Sequence, residues 1–465
     1  MGAKTLDIGL PVATPTHPSA QGDQNGHLEA AASLADSGLF DEFLVYEDRG
    51  ACWFGGGVAR SISLFADHLD VREADRLRRL SLGGLDPCQA LERELARWSG
   101  AWQVAGWACF ELAYALSAPH LLNGEERAGA VPLAFIFEPQ AQVSLGEQAP
   151  IVRSRVPGIE DQIREVLARP RAAQELLPSA VTIGGSRSYR DGVRAAVEHI
   201  AQGALQKVIL SRRVALEFEP DFVGTWLRGR LHNSPSRSFT MRLAGWQASG
   251  FSPEIVVTVD RSGQVVTEPL AGTRRLDGVA DADISRFNEL FSDIKETHEH
   301  AISVRLSLEE MRAVCDPRSV HVHGLMERKL RGSVQHLAST VRGRLREDQN
   351  PWHAFAALFP AVTASGIPKR EAFEEICRLE PDRRGIYAGA ILRVDHDGAF
   401  EAALVLRSLL GTGKRSWLQA GAGIVRGSEP ERELTETSEK LASVAPWVVR
   451  RRDHGLDGRS EHELG

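Results

Sequence analysis

Two hydrophobic rhythms divide this chain. A period of two, the mark of half-buried strands, runs through QKVILSRRVALEF, EIVVTVDRSGQVVTEPLAG and GIYAGAILRVDHDGAFEAALVLRSLL. The second of these predicts two strands around Asp260 to Gly263, and the third a hairpin turning at Asp397-Gly398. GSVQHLAST predicts a further strand that carries His336. A helical period runs through SYRDGVRAAVEHIAQGAL, expected to be capped by Ser188 and to end near Gly203. KETHEHAISV and ELTETSEKL also predict helices. In the first half, FLVYE, GWACFELAYAL and VPLAFIFEP suggest strands, and CQALERELARW a helical insertion.

Hairpins of this kind argue for antiparallel sheets, and the fold class expected is α+β. No GxGxxG follows a strand into a helix and no GxxxxGK[ST] is present, so nucleotide binding is disfavoured. GGLDP and AGAGI read as turns. Residues 1–30, rich in Pro, Gly, Ser and Gln, read as a flexible leader, and 451–465 as a charged tail. The best internal boundary is the charged, proline-containing stretch 157–188, which holds the helix candidate EDQIREVLA and separates residues 31–180 from 181–450.

Composition narrows the class only a little. With 465 residues, 43% hydrophobic and 25% charged, the chain is an ordinary globular one. A net charge of -7 argues against a nucleic-acid surface. The five cysteines Cys52, Cys88, Cys109, Cys315 and Cys377 form no CxxC pair, which signals neither a zinc site nor a disulfide framework. No signal peptide and no apolar run long enough to span a membrane is found, so a cytoplasmic location is expected.

Chemistry concentrates in paired acids. Glu296 and Glu299, and again Glu433 and Glu436, stand three apart and share a helix face. His300 follows Glu296, and Lys440 follows Glu436, at i+4. Facing each other, the two helices would hold a hard divalent cation and an anionic substrate; apart, they are solvated Glu-rich faces. Glu254 in FSPEIVV is either an exposed strand-end residue or an acid aimed into a cleft. Lys207, with Ile209 and Ser211, lies on one face of its strand. Gly272 and Thr273 are expected in a tight turn whose N–H groups could bind a carboxylate. Tyr387 and Arg407 are placed on the two strands of one hairpin, and FPAVTASGIPK is a small-residue loop ended by Pro368.

The order of these segments is more specific than any one of them. SPE, PLAGT, KETHEH, VQHL, ASGIPK, YAGAI, AGAGIV and SEPERELTETSEKL follow one another between about residues 185 and 450, and there the chain resembles the chorismate-utilising enzymes. The N-terminal part resembles them only loosely, through GWACFELAYAL. The resemblance implies a single α+β unit with two antiparallel sheets stacked centrally and helices outside. It implies that Glu254 is a general acid protonating the departing C4 hydroxyl of chorismate, and Lys207 the base that activates water. A lysine acting so near neutral pH is expected to have its ammonium destabilised by burial or a nearby cation. The resemblance also implies Mg²⁺ as cofactor, bound directly by Glu299 and Glu436 and through water by Glu296 and Glu433.

Within the family, Lys207 stands where ammonia-using anthranilate synthases typically have glutamine. Ala271 stands where aminodeoxychorismate synthases have a nucleophilic lysine. Water is therefore the implied nucleophile and isochorismate the first product, with no glutamine amidotransferase subunit. AVTASGIPK and RGSVQHLAST resemble salicylate synthases, which carry a threonine in this loop, here Thr363, and eliminate pyruvate from isochorismate in the same site. The alternative is an enzyme that releases isochorismate. The resemblance further places His336 and Thr363 along the ring, and Lys440 near the C1 carboxylate. Tyr387, Arg407 and the backbone around Gly421 and Gly423 would sit near the pyruvyl carboxylate. It implies a monomer.

Overall fold

The computed structural model describes residues 19–451 apart from 99, 101, 128, 170–175 and 332–333. Every strand pairing among the described residues is antiparallel, as the hairpin signals require. The strands form two sheets that share members. One runs Ile151–Ser154, Ala134–Leu145, Ala51–Leu64, Phe43–Asp48, Arg237–Leu243, Trp246–Ser252, Ser408–Thr412, Arg415–Ile424, Lys207–Ala215 and Gly366–Ile367. The other passes through Gln103–Ala108, Ala390–Asp395, Phe400–Leu404, Ile255–Val259, Gln264–Thr267 and Val334–Arg344. The long strands Ala51–Leu64 and Ala134–Leu145 belong to both, and their pairing slips between Val58 and Arg60. A bulge of this kind bends a strand and lets it change sheets.

The inner faces meet across the core. Trp107 of one sheet lies edge-on to Trp246 of the other, and Arg393 sits over Tyr46 and Trp53. Helices cover the outer faces: Ile294–Val314 packs on Leu270–Arg275 and Val334–Arg344, and Pro430–Ala442 on Arg415–Ile424. Strands before residue 157 hydrogen-bond to strands after 188, as in Phe43–Asp48 with Arg237–Leu243 and Gln103–Ala108 with Ala390–Asp395. The boundary read at 157–188 is therefore a connection inside one α+β unit, and Ile159–Ala168 is its helix.

Several local expectations are corrected. The helix Ser19–Asp36 begins inside the stretch read as leader, and Leu28 is buried; residues 1–18, like the tail from 452, lie outside the described residues. The helix Arg187–Ala201 is capped by Ser186, whose hydroxyl accepts from the Tyr189 N–H, rather than by Ser188. AGAGI is not a turn but part of the strand Arg415–Ile424. Its small residues reflect what packs on that strand, not a change of direction.

Candidate active site

The chain crosses from one sheet to the other at two places side by side, and both carry functional residues. Glu254 lies between Trp246–Ser252 and Ile255–Val259, and Arg407 between Phe400–Leu404 and Ser408–Thr412. The Leu404 N–H donates to the Glu254 carbonyl, and Ser252 Oγ donates to that carbonyl and to that of Leu404. Beside this junction lies a cleft. It gathers Lys207, Glu254, Gly272, Thr273, Glu296, Glu299, His336, Thr363, Tyr387, Arg407, Gly421, Gly423, Glu436 and Lys440. Among the residues expected in the site, only Glu433 is absent from the lining.

The strand periodicity explains one wall. Lys207 and Ile209 face the cleft, and the neighbouring strand pairs Gly421 with Ser211 and Gly423 with Ile209. Glycine at 423 leaves room for Glu299: a Cβ there would lie 2.3 Å from Glu299 Oε1. The opposite wall starts from Asp293, which caps the helix Ile294–Val314 by accepting from the N–H groups of Lys295 and Glu296. That cap fixes where Glu296 and Glu299 point. PLAGT is not a tight turn but a bulged strand, Leu270–Arg275, whose pairing slips between Ala271 and Arg274. Gly272 has φ +62 in the bulge, a conformation glycine adopts without penalty.

Glu254 is buried, and burial raises its carboxyl to about 8 against the hydrogen bond donated by Thr363 and the Lys207 charge. The Thr363 hydroxyl donates to Glu254 Oε1 at 2.6 Å. A rise from 4.5 to about 8 disfavours the carboxylate by something on the order of 5 kcal/mol. Burial therefore favours the protonated form of Glu254, and the residue is an acid aimed into a cleft rather than an exposed strand end. Burial, with the Arg407 charge second, holds His336 neutral. Its Nδ1 donates to the Gly272 carbonyl at 2.8 Å, so Nε2 accepts from Arg407 Nη2 at 2.6 Å. Tyr387 and Arg407 flank the Ala390–Asp395 and Phe400–Leu404 hairpin instead of lying within it. Burial lowers Arg407 to about 10 and raises the Tyr387 phenol.

Each of the four glutamates meets a basic side chain. Glu299 pairs with Lys207 at 2.9 Å, Glu433 with Lys295 at 2.8 Å, and Glu436 with Lys440 at 2.7 Å. Glu296 meets Arg432 at 3.2 Å. Burial and the charges of Glu436 and Glu299 raise Glu296 to about 7, and burial with Glu436 raises Glu433. Glu436 is lowered: Lys440 and Lys295 overcome its burial. Glu433 Oε2 is buried without a hydrogen-bond partner among the described residues. Among those residues no three such groups stand close enough to count as an assembled metal cage. Carboxylate oxygens, one of them orphaned, are the donor type that suits a hard divalent cation.

Lys207 is buried, is paired with Glu299 and donates to Ser303 Oγ at 3.1 Å. His300 does not join the site, since its Nε2 meets Ser339 Oγ at 2.7 Å under the adjacent strand. Sequence reasoning missed Ser303, Lys295 and Arg432. Ser303 follows Glu299 at i+4, a spacing that could have flagged it.

Fold and cleft together define a class. The sequence pattern of the chorismate binding enzymes matches residues 42–446, and this chain belongs to that family. It is 40% identical over 417 residues to a salicylate synthase of Mycolicibacterium paratuberculosis, covering 88% of this chain and 90% of that protein. Anthranilate synthase component 1 of Spirochaeta aurantia is 35% identical over 258 residues, 56% of this chain and 53% of its own. Anthranilate synthase component I of Streptococcus pneumoniae shares the fold with TM-score 0.71 at 24% identity, covering 85% of this chain and 92% of that one. The menaquinone-specific isochorismate synthase of Escherichia coli does so with TM-score 0.66 at 22% identity, covering 90% of each.

Proposed function

We propose that this protein is a salicylate synthase, converting chorismate through isochorismate to salicylate and pyruvate in one cleft. The observation that carries the reading is Glu254, held protonated and hydrogen-bonded to Thr363 on the wall of a cleft that also holds the Lys207 amine. The relationship to a salicylate synthase over nearly the whole of both chains supports it.

Glu254 donates its proton to the C4 hydroxyl as that group departs, and a raised carboxyl suits this task near neutral pH. Lys207 takes a proton from the water that adds at C2. For that the Glu299 carboxylate has to be drawn away from the amine, since the two are paired at 2.9 Å. Tyr387 and Arg407, with the backbone at Gly421, hold the pyruvyl carboxylate; Arg407 already spends one donor on His336. That contact fixes the guanidinium plane. Pyruvate then leaves by a pericyclic step, in which hydrogen moves from C2 to the enolpyruvyl methylene while the C3–O bond breaks. No further base is needed, and the site contributes by holding the side chain over the ring.

Mg²⁺ would be held directly by Glu299 and Glu436 and through water by Glu296 and Glu433. When bound, it would neutralise and orient the C1 carboxylate. Water as nucleophile makes a glutamine amidotransferase partner unnecessary, and we take the enzyme to act alone, as a monomer in the cytoplasm. No helix of the described residues is long and apolar enough to cross a membrane.

Product analysis tests this reading. Purified protein with chorismate and Mg²⁺, without ammonia, should form salicylate and pyruvate in equal amounts, and EDTA should abolish both. Isochorismate accumulating without pyruvate would leave the first half-reaction and remove the second.

A further inference from the structure

Arg384 lies outside the cleft and is 1% exposed. A guanidinium that deep is expensive to bury and needs full compensation, and the groups that compensate it here are informative. Its Nε and Nη2 form a fork onto Glu380, at 2.9 and 2.5 Å. Nη1 donates to the Ala364 carbonyl and Nη2 to the Ile209 carbonyl, both at 2.7 Å. Its plane stacks over Phe110 at 4.4 Å. Glu380 in turn accepts from the Ser211 N–H at 2.7 Å.

These contacts join two parts of the active site that are distant in sequence. Ala364 follows Thr363, the donor to Glu254. Ile209 and Ser211 lie on the strand that opens with Lys207. The loop is tied to this strand again by the Ile209 N–H, which donates to the Ser365 carbonyl at 2.8 Å. The backbone of Arg384 is itself anchored, because the N–H groups of Arg384 and Gly385 both donate to the buried Glu111 carboxyl. The acid side and the base side of the cleft are thus set apart by one planar, five-donor group.

We infer that Arg384, braced by Glu380, is a positioning residue that holds the Thr363 loop against the Lys207 strand, so that the Thr363 hydroxyl stays on Glu254. Nothing in this role touches substrate. It rests on the reading of Glu254 as the general acid, and it deepens that reading by giving the threonine loop a mechanical cause. Lysine cannot substitute, since a single ammonium cannot reach two carbonyls and fork onto a carboxylate at once.

The test is the pH profile of chorismate consumption by the Mg²⁺-loaded enzyme, read against Thr363. Thr363 lowers the Glu254 carboxyl, as Lys207 does, while Glu268 raises it. Losing the threonine hydrogen bond should therefore move the alkaline limb of kcat/KM upward by roughly 0.5 unit. Arg384→Lys should produce this shift, together with a fall in kcat of roughly 10- to 100-fold. In a Thr363→Val background the same substitution should add no further shift. Glu380→Gln keeps size and shape, and it should give a smaller shift of the same sign if Arg384→Lys does not fold. A lowered kcat with an unmoved limb, or an equal shift with and without Thr363, overturns the inference. Chorismate consumption is followed whichever product forms, so an error in the salicylate assignment would leave this test standing.

Discussion

One cleft contains the same side chain under two opposite regimes. On the junction side, Glu254 is enclosed by apolar groups, and its hydrogen-bond partner is a hydroxyl; burial wins, and the carboxyl rises to about 8. On the helix side, Glu436 is only partly buried and meets Lys440 at 2.7 Å, and the cation wins. Burial alone raises a carboxyl, and an adjacent ammonium reverses the sign. The comparison teaches that the charge a glutamate carries here is set by its neighbours rather than by glutamate itself.

The largest expected effect breaks the junction side. Glu254→Gln should lower kcat by roughly 10³-fold while leaving the thermal midpoint almost unchanged, because a neutral amide replaces a neutral carboxylic acid. A loss of folding comparable to the loss of activity would show that Glu254 is ionised after all. On the helix side, Glu436→Gln should abolish stabilisation by Mg²⁺ in thermal melts as well as activity. Wild-type protein at 100 times its Kd for Mg²⁺ should gain about 2.7 kcal/mol, and the variant none.

The pH dependence separates the two sides. A carboxyl whose folded pKa is raised binds more protons in the native state than in the unfolded one. Its contribution to stability is greatest at low pH and declines as pH rises between the unfolded value and the folded one. For Glu254 that window runs from 4.5 to about 8, and for Glu296 from 4.5 to about 7. Activity should fall as pH rises through about 8, as Glu254 loses its proton. Denaturation across this range should show metal-free stability declining, and Mg²⁺ should suppress the part due to Glu296 but not that due to Glu254. The smallest effect is expected from Gly423→Ala. Its Cβ would meet the far end of the Glu299 side chain, which can swing aside. Titration should therefore show Mg²⁺ affinity reduced roughly tenfold in a protein that still folds.

Much of this is legible in the order of residues alone. The hairpin around Asp397-Gly398, the paired acids at i and i+3, and Lys207 facing with Ile209 follow from periodicities of two and 3.6, which are local. Local reading fails where packing overrides local preference. AGAGI reads as a turn because glycine favours turns, yet Gly423 is small because Glu299 lies against it across the cleft. Gly272 suits a turn because glycine tolerates positive φ, yet a bulge demands that φ inside a strand. Ser186 and Ser188 both suit a helix cap, and only the course of the backbone decides between them.

The sequence by itself determined most of the element types, most of the residues that line the cleft and the family, because these depend on spacing along the chain and on the order of short motifs. Which glutamate has its carboxyl raised and which has it lowered was decided only by the tertiary structure. So were the pairing of Lys207 with Glu299, the neutral His336 beneath Arg407, and the strut of Arg384. Each depends on burial and on charges brought within about 4 Å from segments far apart in the chain, and at that range electrostatic terms change sign with the neighbour.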